Sequence, residues 1–349
     1  MRRPLLATLA AVLALPLLAG LTVAPAHAGA GDDVITRAVT FSVDNTNGTR
    51  VACTADGQVH TVHATLVGPR SEVLGASVDR INVLVHDTTT GGWFWQLPGH
   101  PAYDWASRLA DAGETSLVLD RLGYDASPLA DGNATCIGAQ ADMLHQVVEH
   151  LRSGHYVYAD QPRAVPSAQH VVLQGHSVGA AIAQLEAATF DDVDGLVLMS
   201  WSDSGATQAA IDGVQRQSQA CLQGADYAAF ATSGKQFRRL AFASAPAGVQ
   251  RVAARLRNQD PCGDVLSLGS AYATSNALTH QIEAPTLLLY GSKDRLNDPS
   301  SKDRQRDAYK SGTPVTTKVF AGAGNALPLE RTAPQTRARV IRWLAATLG

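Results

Sequence analysis

Residues 171–188, VVLQGHSVGAAIAQLEAA, constrain the fold of this chain more than any other stretch. An apolar run stops at Gly175, His176, Ser177, Val178 and Gly179 and continues as a helix of small residues, the pattern of strand, sharp turn and helix. A serine on such a turn is held in a strained backbone conformation that flanking glycines permit. Its hydroxyl then stands clear of the sheet edge while the next N–H faces the same point, the geometry of a nucleophile elbow. The pentapeptide alone arises by chance in a chain with 30 glycines, so the flanking strand and helix carry the reading.

Further apolar runs at residues 80–86 (RINVLVH), 116–120 (SLVLD), 194–200 (DGLVLMS), 285–291 (PTLLLYG) and 315–320 (VTTKVF) read as buried strands. Helical patterns separate them. Over residues 135–153, Ile137, Leu144, Val147, Val148 and Leu151 share one face, and at the C-terminal end Val340, Ile341, Leu344 and Leu348 do the same. Strands alternating with helices make parallel βαβ units, so the class is α/β. Before them, HTVHATLV at residues 60–67 alternates as an early antiparallel strand, with His60 and His63 on opposite faces and therefore not a metal pair. Between residues 201 and 278 the strand rhythm gives way to helical pieces, read as a cap whose Lys235, Arg238, Arg239, Arg251, Arg255 and Arg257 form a solvated face. The chain thus divides into a signal segment (1–28), a first core part (29–200), a cap insertion (201–278) and a second core part (279–349).

Met1, Arg2 and Arg3 precede an apolar segment over residues 5–23 and the small-x-small triplet Ala26, His27, Ala28, the pattern of a secretory signal peptide cut after Ala28. The reading is of a secreted, extracellular protein with no stable membrane insertion after signal removal. All four cysteines lie beyond that point, and an even count in an oxidising compartment implies two disulfides. Three connectivities are open. Cys221 with Cys262 is favoured because both fall in the insertion, which leaves Cys53 with Cys136. No cysteine pair has zinc-site spacing, so no metal or other cofactor is implied. A net charge of −3 without a long basic run gives no reason to expect nucleic acid. A small-molecule substrate or ligand fits better.

In order, HDTTTGG, SLVLDRLGYDAS, GHSVG, LLLYGSKD and GAGNALPLE resemble the α/β-hydrolase fold superfamily, especially secreted bacterial serine hydrolases of the esterase and lipase kind. The resemblance implies an eight-stranded, mostly parallel sheet with helices on both faces and a cap after the sixth strand. It matches Ser177 to the nucleophile and Asp294 to the triad acid. The oxyanion donors it implies are the backbone N–H groups of Val178 and Thr88, fixed dipoles that each contribute roughly 3 kcal/mol to such reactions.

Two positions depart from the family pattern. The catalytic histidine position holds Asn325, whose amide has no basic lone pair near neutral pH. Loss of that base typically costs about 10⁶ in kcat. The usual His-Gly is His86-Asp87, which places a carboxylate beside the oxyanion donors. The candidate substitutes for the base are His86, at the mouth of its strand, His100, in the aromatic loop that also carries Trp93, Phe94 and Trp95, and Asp87. The sequence therefore supports a serine hydrolase acting through Ser177 on a small or medium apolar ester, lactone or amide. Its rivals are a pseudoenzyme that binds a small ligand and a non-hydrolytic cyclase or lyase using Asp87.

Overall fold

The computed structural model describes residues 33–310 and 312–349, so the signal-peptide reading for residues 1–28 lies outside the described residues. In chain order the strands are β1 (Val34–Asp44), β2 (Val59–Pro69), β3 (Ser77–Val85), β4 (Thr115–Leu119), β5 (Val157–Tyr158), β6 (Ser167–His176), β7 (Gly195–Met199), β8 (Tyr227–Ala228), β9 (Asp260–Pro261), β10 (Thr286–Gly291) and β11 (Val315–Phe320). The α-helices are α1 (Arg70–Val73), α2 (Trp105–Ala110), α3 (Ile137–Ser153), α4 (Val178–Phe190), α5 (Gln208–Leu222), α6 (Gly234–Ala241), α7 (Ala247–Leu256), α8 (Cys262–Leu278), α9 (Lys302–Asp307) and α10 (Ala333–Leu348).

Among the described residues the main sheet has nine strands in the order β11-β10-β7-β6-β3-β4-β2-β1-β5. Strands β3, β4, β6, β7, β10 and β11 run parallel, while β1 and β2 form an antiparallel edge. The expected sheet had eight strands. The ninth is β5, two residues paired antiparallel with β1 through Val39↔Tyr158 and Thr40↔Val157. Two residues carry no alternation, so the sequence gives no sign of it.

Side chains of the parallel strands alternate between two apolar layers, as a period of two requires. Ile81, Val83, Val85, Val171, Leu173, Leu196, Leu198 and Leu288 face the layer that holds α3, α4 and α8. Leu84, Val172, Val197, Met199, Leu287 and Leu289 face the layer that holds α2, α7 and α10. Helix α4 is buried at every position from Val178 to Ala188, which its run of alanines permits, because small side chains let it lie close on the sheet.

Helices α5–α8 and the β8–β9 ribbon all fall between β7 and β10. A disulfide joins Cys221 at the end of α5 to Cys262 at the start of α8, and a second joins Cys53 to Cys136, both in the favoured pairing. Lys235, Arg239, Arg251 and Arg255 are exposed on α6 and α7, while Val249 and Ala253 are buried. No helix among the described residues is long and apolar enough to cross a membrane.

Candidate active site

Strand β6 ends at His176 and α4 begins at Val178, leaving Ser177 alone at the bend with φ 52° and ψ −119°. Left-handed φ is costly for a residue with a Cβ. Backbone packs closely on both sides of the bend, which the nearby glycines permit. A Cβ on Gly175 would lie 2.4 Å from the Ala180 Cα, and one on Gly179 would lie 2.3 Å from the Val85 carbonyl oxygen. Both neighbours are backbone, so only glycine fits on either side of the turn. The Ser177 amide donates to the Met199 carbonyl at 2.8 Å, and Ala180 closes the first helical turn on the Ser177 carbonyl at 2.9 Å.

Ser177 opens on a cavity of about 330 Å³. Its walls are mainly apolar: Trp93 and Phe94 from the aromatic loop, Ile211 and Val214 from α5, Phe237 and Leu240 from α6, and Leu268 and Tyr272 from α8. The aromatic loop divides its labour, because Trp95 is fully buried away from the cavity, against Trp105 at 6.2 Å between ring centroids. Polar groups also reach the lining, among them Asp87, Thr88, Thr89, Thr90, Gln217 and Asp264.

Asp87 occupies the position that the sequence makes unusual. Its Oδ1 accepts the Val178 N–H at 2.9 Å, next to Ser177 in the chain. One carboxyl therefore sits on the amide that follows Ser177, with the Ser177 side chain near enough to lower its pKa. Burial pushes the Asp87 pKa up to about 7, against the lowering effect of the Val178 amide, the Ser177 side chain and the Arg121 charge. Thr88 lines the cavity next to it, its Oγ1 3.4 Å from Asp87 Oδ1.

Asn325, in the loop after β11, is buried and lines the cavity. Its Nδ2 donates to both oxygens of Asp294, at 3.2 and 3.0 Å. Asp294 follows β10 and accepts the amides of Leu296 and Asn297 at 2.8 and 3.1 Å; burial nevertheless raises its pKa to about 6. The Asn325 carbonyl accepts the Ser200 hydroxyl at 2.7 Å and the His176 Nε2 at 3.1 Å. The asparagine therefore holds its loop in place and turns its amide donor, with no basic lone pair, toward the carboxylate.

The three nearby histidines are differently engaged. His86 is fully buried: its Nδ1 donates to the Asp87 carbonyl at 2.7 Å and its Nε2 accepts the Arg121 amide at 3.2 Å. That pair fixes the neutral tautomer and leaves neither nitrogen for a proton from Ser177. Burial and the Arg121 charge hold its pKa well below the ordinary value. His100 lies beside Gly248 and is not among the cavity-lining residues. His176 stacks on Phe94 with centroids 4.4 Å apart and reaches the cavity; burial takes its pKa down to about 4.

A buried charged cluster escaped sequence reasoning. Asp260 accepts the Thr89 amide and the Gln217 Nε2, the latter at 2.5 Å, and burial lifts its pKa to about 7. Arg121 pairs with Asp264 at 3.0 Å, and the Tyr124 hydroxyl donates to the same oxygen at 3.1 Å. These contacts tie the loops after β3 and β4 to α5, β9 and α8. Partners 43 to 171 residues apart leave no local pattern in a sequence. The motif RLGYDAS marks Arg121 and Tyr124 as a landmark without giving their partner.

A family profile described as "Alpha/beta hydrolase family" matches residues 83–339, and the chain belongs to that family. An esterase from Thermogutta terrifontis aligns with a TM-score of 0.61 at 18% identity, covering 88% of this chain and 100% of that one. An esterase from Exiguobacterium antarcticum gives 0.58 at 17% identity, covering 83% and 96%. A monoacylglycerol lipase from Paleococcus ferrophilus gives 0.56 at 18% identity, covering 76% and 94%. At such identities the likeness carries the fold alone. No curated protein matches the chain.

Proposed function

We propose that this protein is a secreted hydrolase that cleaves a small or medium apolar ester, lactone or amide through Ser177, with Asp87 as the proton acceptor in place of imidazole. The observation that carries the reading is the Asp87 carboxyl, which accepts the Val178 amide and lines the same apolar cavity as Ser177. A base with pKa near 7 is matched to proton transfer at neutral pH. In this reading Ser177 Oγ attacks the carbonyl carbon while its proton passes to the Asp87 carboxylate. The neutral acid is a weaker acceptor, which frees the fixed Val178 amide to donate to the new oxyanion together with the Thr88 amide. Asp87 then returns the proton to the leaving alkoxide or amine as the carbon–heteroatom bond breaks. Water completes the second half with Asp87 again as base. Helices α5–α8 act as a cap that keeps water out and gives the site its apolar preference. The two disulfides support export.

A second reading draws on Asn325, whose amide on Asp294 replaces the proton-accepting dyad of the family pattern. There the cavity binds an apolar ligand without turning it over. A short-chain aryl ester and an activated fluorophosphonate separate the two. The hydrolase reading expects Ser177 labelling and turnover, both lost in Ser177→Ala, and turnover reduced at least 10³-fold in Asp87→Asn. If the wild type neither labels nor turns over while Asn325→His gains hydrolysis, the binding reading replaces it. Product formation that survives Ser177→Ala and is lost in Asp87→Ala would point instead to cyclase or lyase chemistry on Asp87.

A further inference from the structure

The far end of α4 holds a second group of chemistry-bearing side chains, unrelated to the cavity. Glu186 lies on α4, His145 on α3, and Asp192 just beyond α4. One histidine nitrogen, one Glu186 oxygen and one Asp192 oxygen all lie within 4.8 Å of one another. Glu186 is fully buried, and neither of its carboxylate oxygens meets a donor; Asp192 Oδ1 is also buried without one. The polar neighbour of Glu186 is Asp192, itself an acceptor. His145 Nδ1 sits 2.6 Å from Asp192 Oδ2, and its ring is clamped by Phe190, parallel within 5° at 3.9 Å. Its other nitrogen faces Glu149 at 3.8 Å. Arg152 passes nearby, but its guanidinium is spent on the Asp192 carbonyl and the Asp194 carboxylate.

Two neighbouring carboxylates whose Glu186 oxygens and Asp192 Oδ1 meet no donor are stabilised by a shared proton or by a cation. A proton satisfies one Glu186 oxygen and leaves the rest of the group as it is. A dication neutralises both acids and takes up the histidine nitrogen. We propose that His145, Glu186 and Asp192 form a binding site for a zinc-like divalent metal ion, completed by water, that staples α3 to the turn between α4 and β7. A set of one imidazole and two carboxylates suits zinc or a related transition metal, whereas calcium and magnesium favour oxygen alone. Glu186 stands nine residues along α4 from Ser177, about 13 Å at the helical rise, so the role is structural. The site does not depend on the reading of Ser177.

The test is zinc titration of the full metal-stripped chain, by calorimetry and by thermal unfolding. The expected result is one zinc bound per chain and a midpoint raised by several degrees at saturating metal. In Asp192→Asn and His145→Gln the affinity falls at least tenfold and the shift disappears. Cobalt substitution in the unaltered chain reads coordination from visible absorption, so the answer does not hang on a variant's folding. Absence of zinc and cobalt binding by the unaltered chain overturns the site and leaves a shared proton between Glu186 and Asp192. Binding that persists undiminished in both variants overturns it equally, since the metal then sits elsewhere.

Discussion

Asp87 shows how one side chain sets the behaviour of a whole site. In place of the glycine of the family pattern, it brings a carboxyl onto the Val178 amide beside Ser177, and burial holds its proton to about pH 7. An acid whose pKa rises on folding, here from 3.8, is bound to its proton more tightly when folded. Its contribution to stability is therefore full below about pH 4, is lost as pH rises through about 7, and is constant beyond. Asp260, at about 7, and Asp294, at about 6, act in the same direction over the same window. Urea midpoints should fall between pH 5 and pH 8 in the wild type. Asp87→Asn should recover part of that loss, at most about 4 kcal/mol, because the amide keeps an acceptor for Val178 without ionising. An identical pH slope in the variant would mean that Asp87 titrates near its ordinary value.

Among the elements, α4 links the bend at Ser177 to the rest of the molecule. Its alanines are legible as a helix that lies close to the sheet, but two polar residues on it are not. Gln184 is fully buried; its Nε2 donates to Asp203, Ser275 and Thr279 at 2.8, 2.7 and 2.9 Å. Its Oε1 accepts from Gln305 and Tyr309 at 3.1 and 3.0 Å. One amide thus fastens α4 to α8, α9 and the segment after β7. Gln184→Ala strands several buried groups at once and should lower unfolding free energy by about 3 kcal/mol in a urea titration. A change within about 0.5 kcal/mol would show that water replaces the amide. Glu186, two residues on, has the same burial and no such partners, which is why it stands out as a ligand.

For the whole molecule, the disulfide from Cys221 to Cys262 holds two cavity walls together, since α5 supplies Ile211 and Val214 while α8 supplies Leu268 and Tyr272. It closes a loop of 41 residues, which in the chain-entropy account contributes about 4 kcal/mol. Cys221→Ser combined with Cys262→Ser should lower the denaturation midpoint accordingly. Under folded conditions it should also weaken binding of an apolar ester before secondary structure is lost. Unchanged affinity would mean that packing alone sets the walls.

The fold class, the bend at Ser177, the parallel strands and the number of disulfides followed from the sequence, because each rests on local periodicity, turn chemistry or a count, whereas their pairing was one of three open connectivities. The sequence also marked Asp87 and Asn325 as departures, since they break a pattern at known offsets. Where those side chains point depended on contacts between distant segments. Only the folded chain brings Asp87 onto Val178, turns Asn325 toward Asp294, engages both nitrogens of His86 and joins Asp260 to Thr89 across 171 residues. Burial is likewise a tertiary property, and it is burial that moves the Asp87 proton to near neutral pH.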